Sequence, residues 1–241
     1  ARKIILEGRT KELCVEEKTS RCDLVTNVDK FIEKFYVDRI RETFPNSKIL
    51  GEEGEADKDL DNFKGLLWII DPIDGTMNFV KQHDHFASMI AVCENGIEKL
   101  GYILDVTEDE LYWGGPECGV FCNDQKVAPP KNLPLEEGLF GVGGKMLLSN
   151  YRNVQSAAKK SLGVRIYGSS GIEFIHVLTG KNVSYLSHLR PWDYAAGKIL
   201  AETLGLVVKT IDEESLDMLS SSDVLVATKN AHQGIIKLMN S

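Results

Sequence analysis

The chain has 241 residues, 43% of them apolar, enough to bury a sizeable core as one compact unit or two small packed domains. Its 28 Lys and Arg stand against 36 Asp and Glu, and the resulting net charge of -8 argues against non-specific nucleic-acid binding and against attachment to an anionic membrane. An anionic substrate would therefore need a local source of positive charge. No run approaches the roughly 18 apolar residues of a membrane span, and no signal peptide is visible. The 5 cysteines, with no CxxC spacing, read as reduced thiols of a cytoplasmic protein. The chain opens without Met inside a weak helical pattern, which reads as a processed or truncated N-terminus.

In chain order, residues 1–13 are weakly helical, and Val28, Phe31, Ile32, Phe35 and Ile40 predict a clearer helix by their i, i+3, i+4 recurrence. The apolar run 66–70 predicts an interior strand that ends at Asp71-Pro72, where the proline stops further ladder pairing. Residues 86–92 and 100–113 predict antiparallel strands turned at Glu94-Asn95-Gly96 and at 107–109. The polar, proline-bearing stretch 127–134 predicts a boundary, dividing the chain into an α+β part, 1–128, and an α/β part, 129–241. In the second part strands at 139–142, 164–167 and 183–186 alternate with helices at 151–162, 171–178 and 192–204.

The chemistry gathers around Asp71-Pro72-Ile73-Asp74-Gly75-Thr76. Hard divalent cations such as Mg²⁺ take a few carboxylates and leave positions for water and phosphate. Two acids at a strand mouth can converge on one ion, and the free N–H groups of Gly75 and Thr76 would cradle a phosphate beside it. The same run also reads as a surface turn, since Asp, Pro and Gly are the commonest turn residues. Glu52, in Gly51-Glu52-Glu53-Gly54, could add a third carboxylate or simply sit in a solvated loop. Asp193 could complement a helix dipole, and Thr26 with Asp29 matches a capping box. Gly141-Val142-Gly143-Gly144-Lys145 fails as a P-loop because Met146 replaces Ser or Thr, and His83-Asp84-His85 lacks further zinc ligands.

Taken together, Asp23-Leu24-Val25-Thr26-Asn27-Val28-Asp29, Gly51-Glu52-Glu53, the run from Trp68 to Phe79 and Pro191-Trp192-Asp193-Tyr194-Ala195-Ala196-Gly197 resemble the inositol monophosphatase family in order and spacing. The resemblance implies a layered αβαβα sugar-phosphatase fold of mixed α+β and α/β character, with an antiparallel sheet in the N-terminal half and a mixed sheet in the C-terminal half. It implies a lithium-sensitive, homodimeric enzyme that hydrolyses a small phosphate monoester with two to three Mg²⁺ per subunit. Inositol 1-phosphate is the leading substrate, NADP 2′-phosphate and fructose 1,6-bisphosphate are alternatives, and a non-catalytic sugar-phosphate-binding or interaction protein is the reading of another class. Glu52, Asp71, the Ile73 carbonyl, Asp74 and Asp193 would hold metal, with Glu52 counted also among the catalytic residues. Asp29 and Thr76 would orient and deprotonate the attacking water. Gly75, Thr76, Asp74, Ser169, Ser170, Asp193 and Leu186 would contact substrate, with Lys18 in a mobile segment over the site. Leu186 stands seven residues before Asp193, where the family carries a glutamate that binds inositol hydroxyls, so strict inositol specificity is in question. Only 17 residues precede Lys18, which implies an incomplete first helix.

Overall fold

The computed structural model describes residues 1–9, 13–21, 23–54, 57, 59–60 and 63–240. Part of the expected first helix, 10–12, and Cys22 lie outside the described residues. The N-terminal half runs α1 (Arg2–Arg9), β1 (Val15–Ser20), β2 (Asp23–Thr26), α2 (Asn27–Thr43), β3 (Lys48–Gly51), β4 (Leu66–Asp74), α3 (Thr76–Lys81), β5 (Ala87–Glu94), β6 (Ile97–Asp105), β7 (Glu110–Gly115), β8 (Gly119–Cys122) and β9 (Gln125–Lys126). Strands β3 to β9 form one seven-stranded sheet in sequence order, antiparallel except for the parallel pair β3 and β4. Strands β1 and β2 form a separate antiparallel hairpin.

The C-terminal half runs β10 (Leu139–Val142), α4 (Gly144–Leu148), α5 (Val154–Lys160), β11 (Gly163–Arg165), α6 (Ser170–Leu178), β12 (Ser184–Leu189), α7 (Pro191–Thr203), β13 (Val207–Thr210), β14 (Ser222–Ala227) and α8 (Lys229–Met239). Its five strands form a mixed sheet in the order β11-β10-β12-β14-β13, parallel on either side of β10 and antiparallel on either side of β14. Residues 127–134, where the sequence predicts a boundary, contain neither helix nor strand.

Alternation along the strands sorts side chains into layers. On β4, Ile69 joins the cluster that contains α6 and α7, while its neighbour Ile70 joins Val37, Ile40 and Ile49 on the other face with α2. On β12, Tyr185 and Leu189 join the α6 and α7 cluster, while Leu186 packs with Phe140, Val142 and Ile235 on the α5 and α8 face. Helices α6 and α7 thus fill the space between the two sheets, and the order helix, seven-stranded sheet, helix pair, five-stranded sheet, helix is the expected αβαβα stack. Close approach is built into that middle layer: a Cβ on Gly197 of α7 would come within 2.3 Å of the Phe174 ring. Among the described residues, no helix is long and apolar enough to cross a membrane.

One expectation fails here. Pairing does not stop at Pro72: β4 continues to Asp74, with Asp71 opposite Met89 and Asp74 opposite Ala87. Three steps on β4 oppose two on β5, which is a β-bulge, and the bulge absorbs the proline that cannot donate to the ladder. Residues three apart on a regular strand face opposite sides. The extra residue cancels that inversion and brings Asp71 and Asp74 to one side.

Candidate active site

Thr26 ends β2 and caps α2, and its Oγ1 accepts from the Val28 amide at 3.1 Å. Asp29 completes the capping box, its Oδ2 accepting from the Thr26 amide at 2.9 Å and bonding the Thr26 hydroxyl as well. The other oxygen, Oδ1, accepts from the Thr76 hydroxyl at 3.0 Å. The capping and the functional readings of Asp29 therefore coexist, one on each oxygen. Burial pushes the Asp29 carboxyl above its ordinary range, against the pull of its Thr26 and Thr76 bonds. Thr76 Oγ1 also lies 3.1 Å from the Ile73 carbonyl, so a single hydroxyl proton stands between two acceptors.

The bulged end of β4 supplies Asp71 and Asp74, and the first turn of α7 supplies Asp193, whose Oδ2 accepts from the Arg190 amide at 2.8 Å. One carboxylate oxygen from each of the three lies within 4.8 Å of the others. Asp71 is 1% exposed, and its Oδ1 is buried without a hydrogen-bond partner. Burial, followed by the charges of Glu52, Asp74 and Asp193, pushes its carboxyl well above the usual range. A buried unpaired carboxylate oxygen among other acids is costly unless a cation takes it up, and this donor set fits a hard divalent ion. Among the described residues, this is the sole group of three His, Cys, Asp or Glu that could hold a metal.

Glu52 lies within side-chain hydrogen-bonding reach of Asp71 and is held by Lys18 as well: Lys18, on the β1–β2 hairpin, bonds its Oε1 at 2.9 Å and Glu53 Oε1 at 2.6 Å. Burial alone would lower the Lys18 pKa, and the two glutamates raise it well above normal. Glu53, whose backbone N–H donates to buried Glu33 at 2.8 Å, is itself pushed up to about 7, chiefly by burial.

Gly75 links the metal-type cluster to α3 with φ +89, and a Cβ there would meet Ser169 Cβ at 2.9 Å, so only glycine fits. Ser169 and Ser170 reach the site, but their polar groups hold Asp74. Asp74 Oδ1 accepts from the Ser170 amide at 3.1 Å and hydroxyl at 3.0 Å, and Oδ2 from the Gly171 amide at 2.7 Å and from the Ser169 hydroxyl. Leu186 does not reach the site: it is fully buried on the far face of the second sheet. Its neighbours Tyr185 and Ser187 line the open cleft of about 380 Å³ that runs from Asp74 and Asp193 toward the β10–α4 loop. The period-two alternation of β12 was the signal that could have separated Leu186 from Ser187.

The sequence reading also passed over Asn78. Its side-chain amide donates to the His85 carbonyl at 2.8 Å and to the Tyr167 carbonyl at 2.6 Å, tying α3 to both halves of the chain just before Gly168. Asn78→Ala leaves two part-buried carbonyls without their donor, and a loss of about 1–3 kcal/mol in chemical denaturation is expected at the net value of such bonds. Phosphate release should fall with it, because the 168–171 loop that grips Asp74 loses its anchor; an unchanged denaturation midpoint would remove the anchoring role.

The geometry agrees with the comparisons to known proteins. The family model described as the inositol monophosphatase family matches residues 1–241. The inositol-1-monophosphatase of Bacillus subtilis is 42% identical over 238 residues, covering 97% of this chain and 89% of that protein. The fructose-1,6-bisphosphatase/inositol-1-monophosphatase of Thermotoga maritima is 30% identical over 227 residues, covering 94% and 86%. A crystal structure of an IMPase/NADP phosphatase complexed with Mg²⁺ and phosphate superposes with a TM-score of 0.93 at 31% identity, covering 100% of this chain and 90% of that one. With the layered fold, the acidic cluster and a match over its full length, the chain belongs to the inositol monophosphatase family.

Proposed function

We propose that this phosphatase hydrolyses inositol 1-phosphate in a Mg²⁺-dependent reaction, with fructose 1,6-bisphosphate and the 2′-phosphate of NADP as the alternative substrates. The observation that carries the hydrolytic reading is the convergence of Asp71, Asp74 and Asp193 within 4.8 Å, beside an Asp29–Thr76 pair joined at 3.0 Å. Glu52, Asp71, the Ile73 carbonyl, Asp74 and Asp193 would hold the metal. Mg²⁺ at such a site polarises phosphoryl oxygens, lowers the pKa of a bound water and supplies the positive field that a chain of net charge -8 lacks.

The residues do the rest. The amides of Gly75 and Thr76 orient the phosphate. Thr76 Oγ1 accepts a proton from the attacking water as its own proton passes to Asp29 Oδ1, whose basicity burial raises. The grip of residues 169–171 on Asp74 fixes that carboxylate's orientation before substrate arrives. Lys18 holds Glu52 from above and would have to release it for metal to bind. The non-catalytic reading requires the loss of a metal carboxylate, and Glu52, Asp71, Asp74, Asp193 and Asp29 are all present.

The alternative substrates are favoured by β12, which turns Tyr185 and Ser187, rather than a carboxylate, toward the leaving-group end of the cleft. A phosphate-release panel with Mg²⁺ over inositol 1-phosphate, fructose 1,6-bisphosphate, NADP and 3′-phosphoadenosine 5′-phosphate ranks them. Highest kcat/KM on inositol 1-phosphate is expected; release from none of the four would leave the binding-protein reading in its place. Lithium should inhibit whichever reaction is found.

A further inference from the structure

The leaving-group end of the cleft has a charge pattern that the hydrolytic machinery leaves unused. The catalytic end is acidic, with Asp74 and Asp193 in its wall. At the other end, Lys145 enters the wall from the start of α4, exposed, and its ammonium makes no ion pair or hydrogen bond among the described residues. It is the sole lysine or arginine among the described residues that line the cleft. Glu173, the remaining acid in the wall, has both oxygens engaged, accepting from the Tyr167 amide at 3.1 Å and from Asn182 at 3.2 Å. It does not turn toward Lys145 to neutralise it.

The cleft also continues past Lys145. A second hollow of about 250 Å³ shares Lys145, Met146 and His188 with the first and extends to Tyr151 and Asp223. His188 bonds Asp223 Oδ1 at 2.8 Å through Nδ1, which turns its other ring nitrogen away from that carboxylate. Tyr151 is 41% exposed at the far end, and its hydroxyl donates to the other Asp223 oxygen at 2.8 Å. A phosphorylated group seated on Asp74 and Asp193 thus has a leaving-group path that passes the lysine and runs on beyond it.

We infer that Lys145, with His188 beside it, forms a subsite for a second anionic group on the substrate and raises kcat/KM on those of the substrates above whose leaving group itself carries a phosphate. The inference rests on the phosphatase reading above and adds a specificity-determining residue to it. The physical argument is complementarity: metal would neutralise the acidic end, Asp223 is already taken up by His188 and Tyr151, and the unpaired ammonium is left to meet charge brought in with the substrate. Two sources share this chemistry, a sugar bisphosphate and a phosphorylated dinucleotide. The 380 Å³ cleft would take the first, and the 250 Å³ extension adds room for the second.

The test compares the wild type with Lys145→Met and Lys145→Arg on inositol 1-phosphate, whose leaving group is uncharged, on fructose 1,6-bisphosphate and on NADP. The quantity read is the ratio of kcat/KM on each charged substrate to kcat/KM on inositol 1-phosphate. Lys145→Met should lower it about two- to fivefold, the size of an exposed ion pair. Lys145→Arg should restore it, and added salt should shrink the wild-type ratio. A fall confined to fructose 1,6-bisphosphate assigns the subsite to sugar bisphosphates, and one confined to NADP assigns it to nucleotides. Ratios unchanged in Lys145→Met while all three substrates turn over would overturn the subsite alone. A wild type that releases phosphate from none of them overturns the phosphatase reading, and the subsite with it.

Discussion

Asp71→Asn is expected to abolish phosphate release and, in metal-free buffer near neutral pH, to make the protein more stable than the wild type. Asp71 is 1% exposed, its Oδ1 has no hydrogen-bond partner, and Glu52, Asp74 and Asp193 all raise its pKa. Each of those facts says that the folded chain holds this carboxylate at a cost and recovers it only when a cation binds. The amide has nearly the same shape and cannot ionise, so it carries neither the cost of a buried charge nor that of taking up a proton there. A gain on the order of 1–2 kcal/mol for the metal-free protein follows from relief of like-charge repulsion and desolvation. For a chain of this size that is a rise of roughly 2–8 °C in Tm. The loss of turnover should be at least ~10³-fold, since the residue would hold the group that stabilises transition-state charge. Differential scanning fluorimetry with EDTA or Mg²⁺, beside a phosphate-release assay, reads all of this at once. The Mg²⁺-induced rise in Tm should nearly vanish in the variant. Near-wild-type turnover, or a lower Tm in EDTA, would sink the assignment of Asp71 as a metal ligand.

The same substitution at Asp74 should behave differently, and the contrast makes the argument specific. Both Asp74 oxygens are taken by donors, two of them the backbone amides of Ser170 and Gly171. An asparagine NH₂ would face one of those N–H groups, so Asp74→Asn removes a charge but also breaks the grip of the 169–171 loop. Activity is lost in both variants, whereas only Asp71→Asn should gain stability.

What could be read in the sequence was whatever sits in consecutive residues. The run from Trp68 to Phe79 announces its strand, its glycine turn and its acids in order, and the capping box at Thr26 and Asp29 is a local pattern that the fold preserves. The first helix residues of α7 place Asp193 where its motif says it should be. What failed depends on partners distant in sequence. Pro72 signalled an end to pairing because proline cannot donate to a ladder, but β5 can slip by one residue, and the resulting bulge is what lets Asp71 and Asp74 share a side. Leu186 was singled out by its distance from Asp193, yet the face on which a strand residue lands is fixed by what covers each side, and α5 and α8 cover this one. Strand β1, reading Val-Glu-Glu-Lys-Thr-Ser, shows no apolar alternation because Val15, Glu16, Glu17 and Thr19 are exposed, so the resemblance alone placed Lys18 over the site and its bonds with Glu52 and Glu53 were not legible. Asn78 left no local trace, since both carbonyls it binds come from other segments.

The carboxylate cluster also sets the pH dependence of stability, with a sign opposite to that of most acid-rich proteins. Asp71, Asp74 and Asp193 all have folded-state pKa values raised, first by burial. A raised group contributes stability that is fully present below its unfolded value, about 3.9 for Asp, and is lost as pH climbs through the folded value. Over that range the native state binds more protons than the unfolded state, so the metal-free protein should weaken as pH rises, by up to about 1.4 kcal/mol per pH unit for each proton held. Glu53, pushed up to about 7, and Glu173, pushed up to about 8, act in the same direction. His176, lowered to about 4, acts in the opposite direction below its ordinary pKa of 6.5. The useful window is therefore pH 7 to 9, roughly, where a histidine lowered to that extent is mostly neutral in both states, and within it the Ala1 amine, lowered by burial, acts against the carboxylates. In EDTA, Tm should fall across that window. Metal binding requires the deprotonated ligands and releases their protons, so the increment in Tm from Mg²⁺ should grow with pH. Asp71→Asn should flatten both trends, which separates the cluster from Glu53 and Glu173. A wild-type Tm in EDTA that rises from pH 7 to 9, with the same slope in Asp71→Asn, would overturn the claim that the metal-free cluster sets this pH dependence.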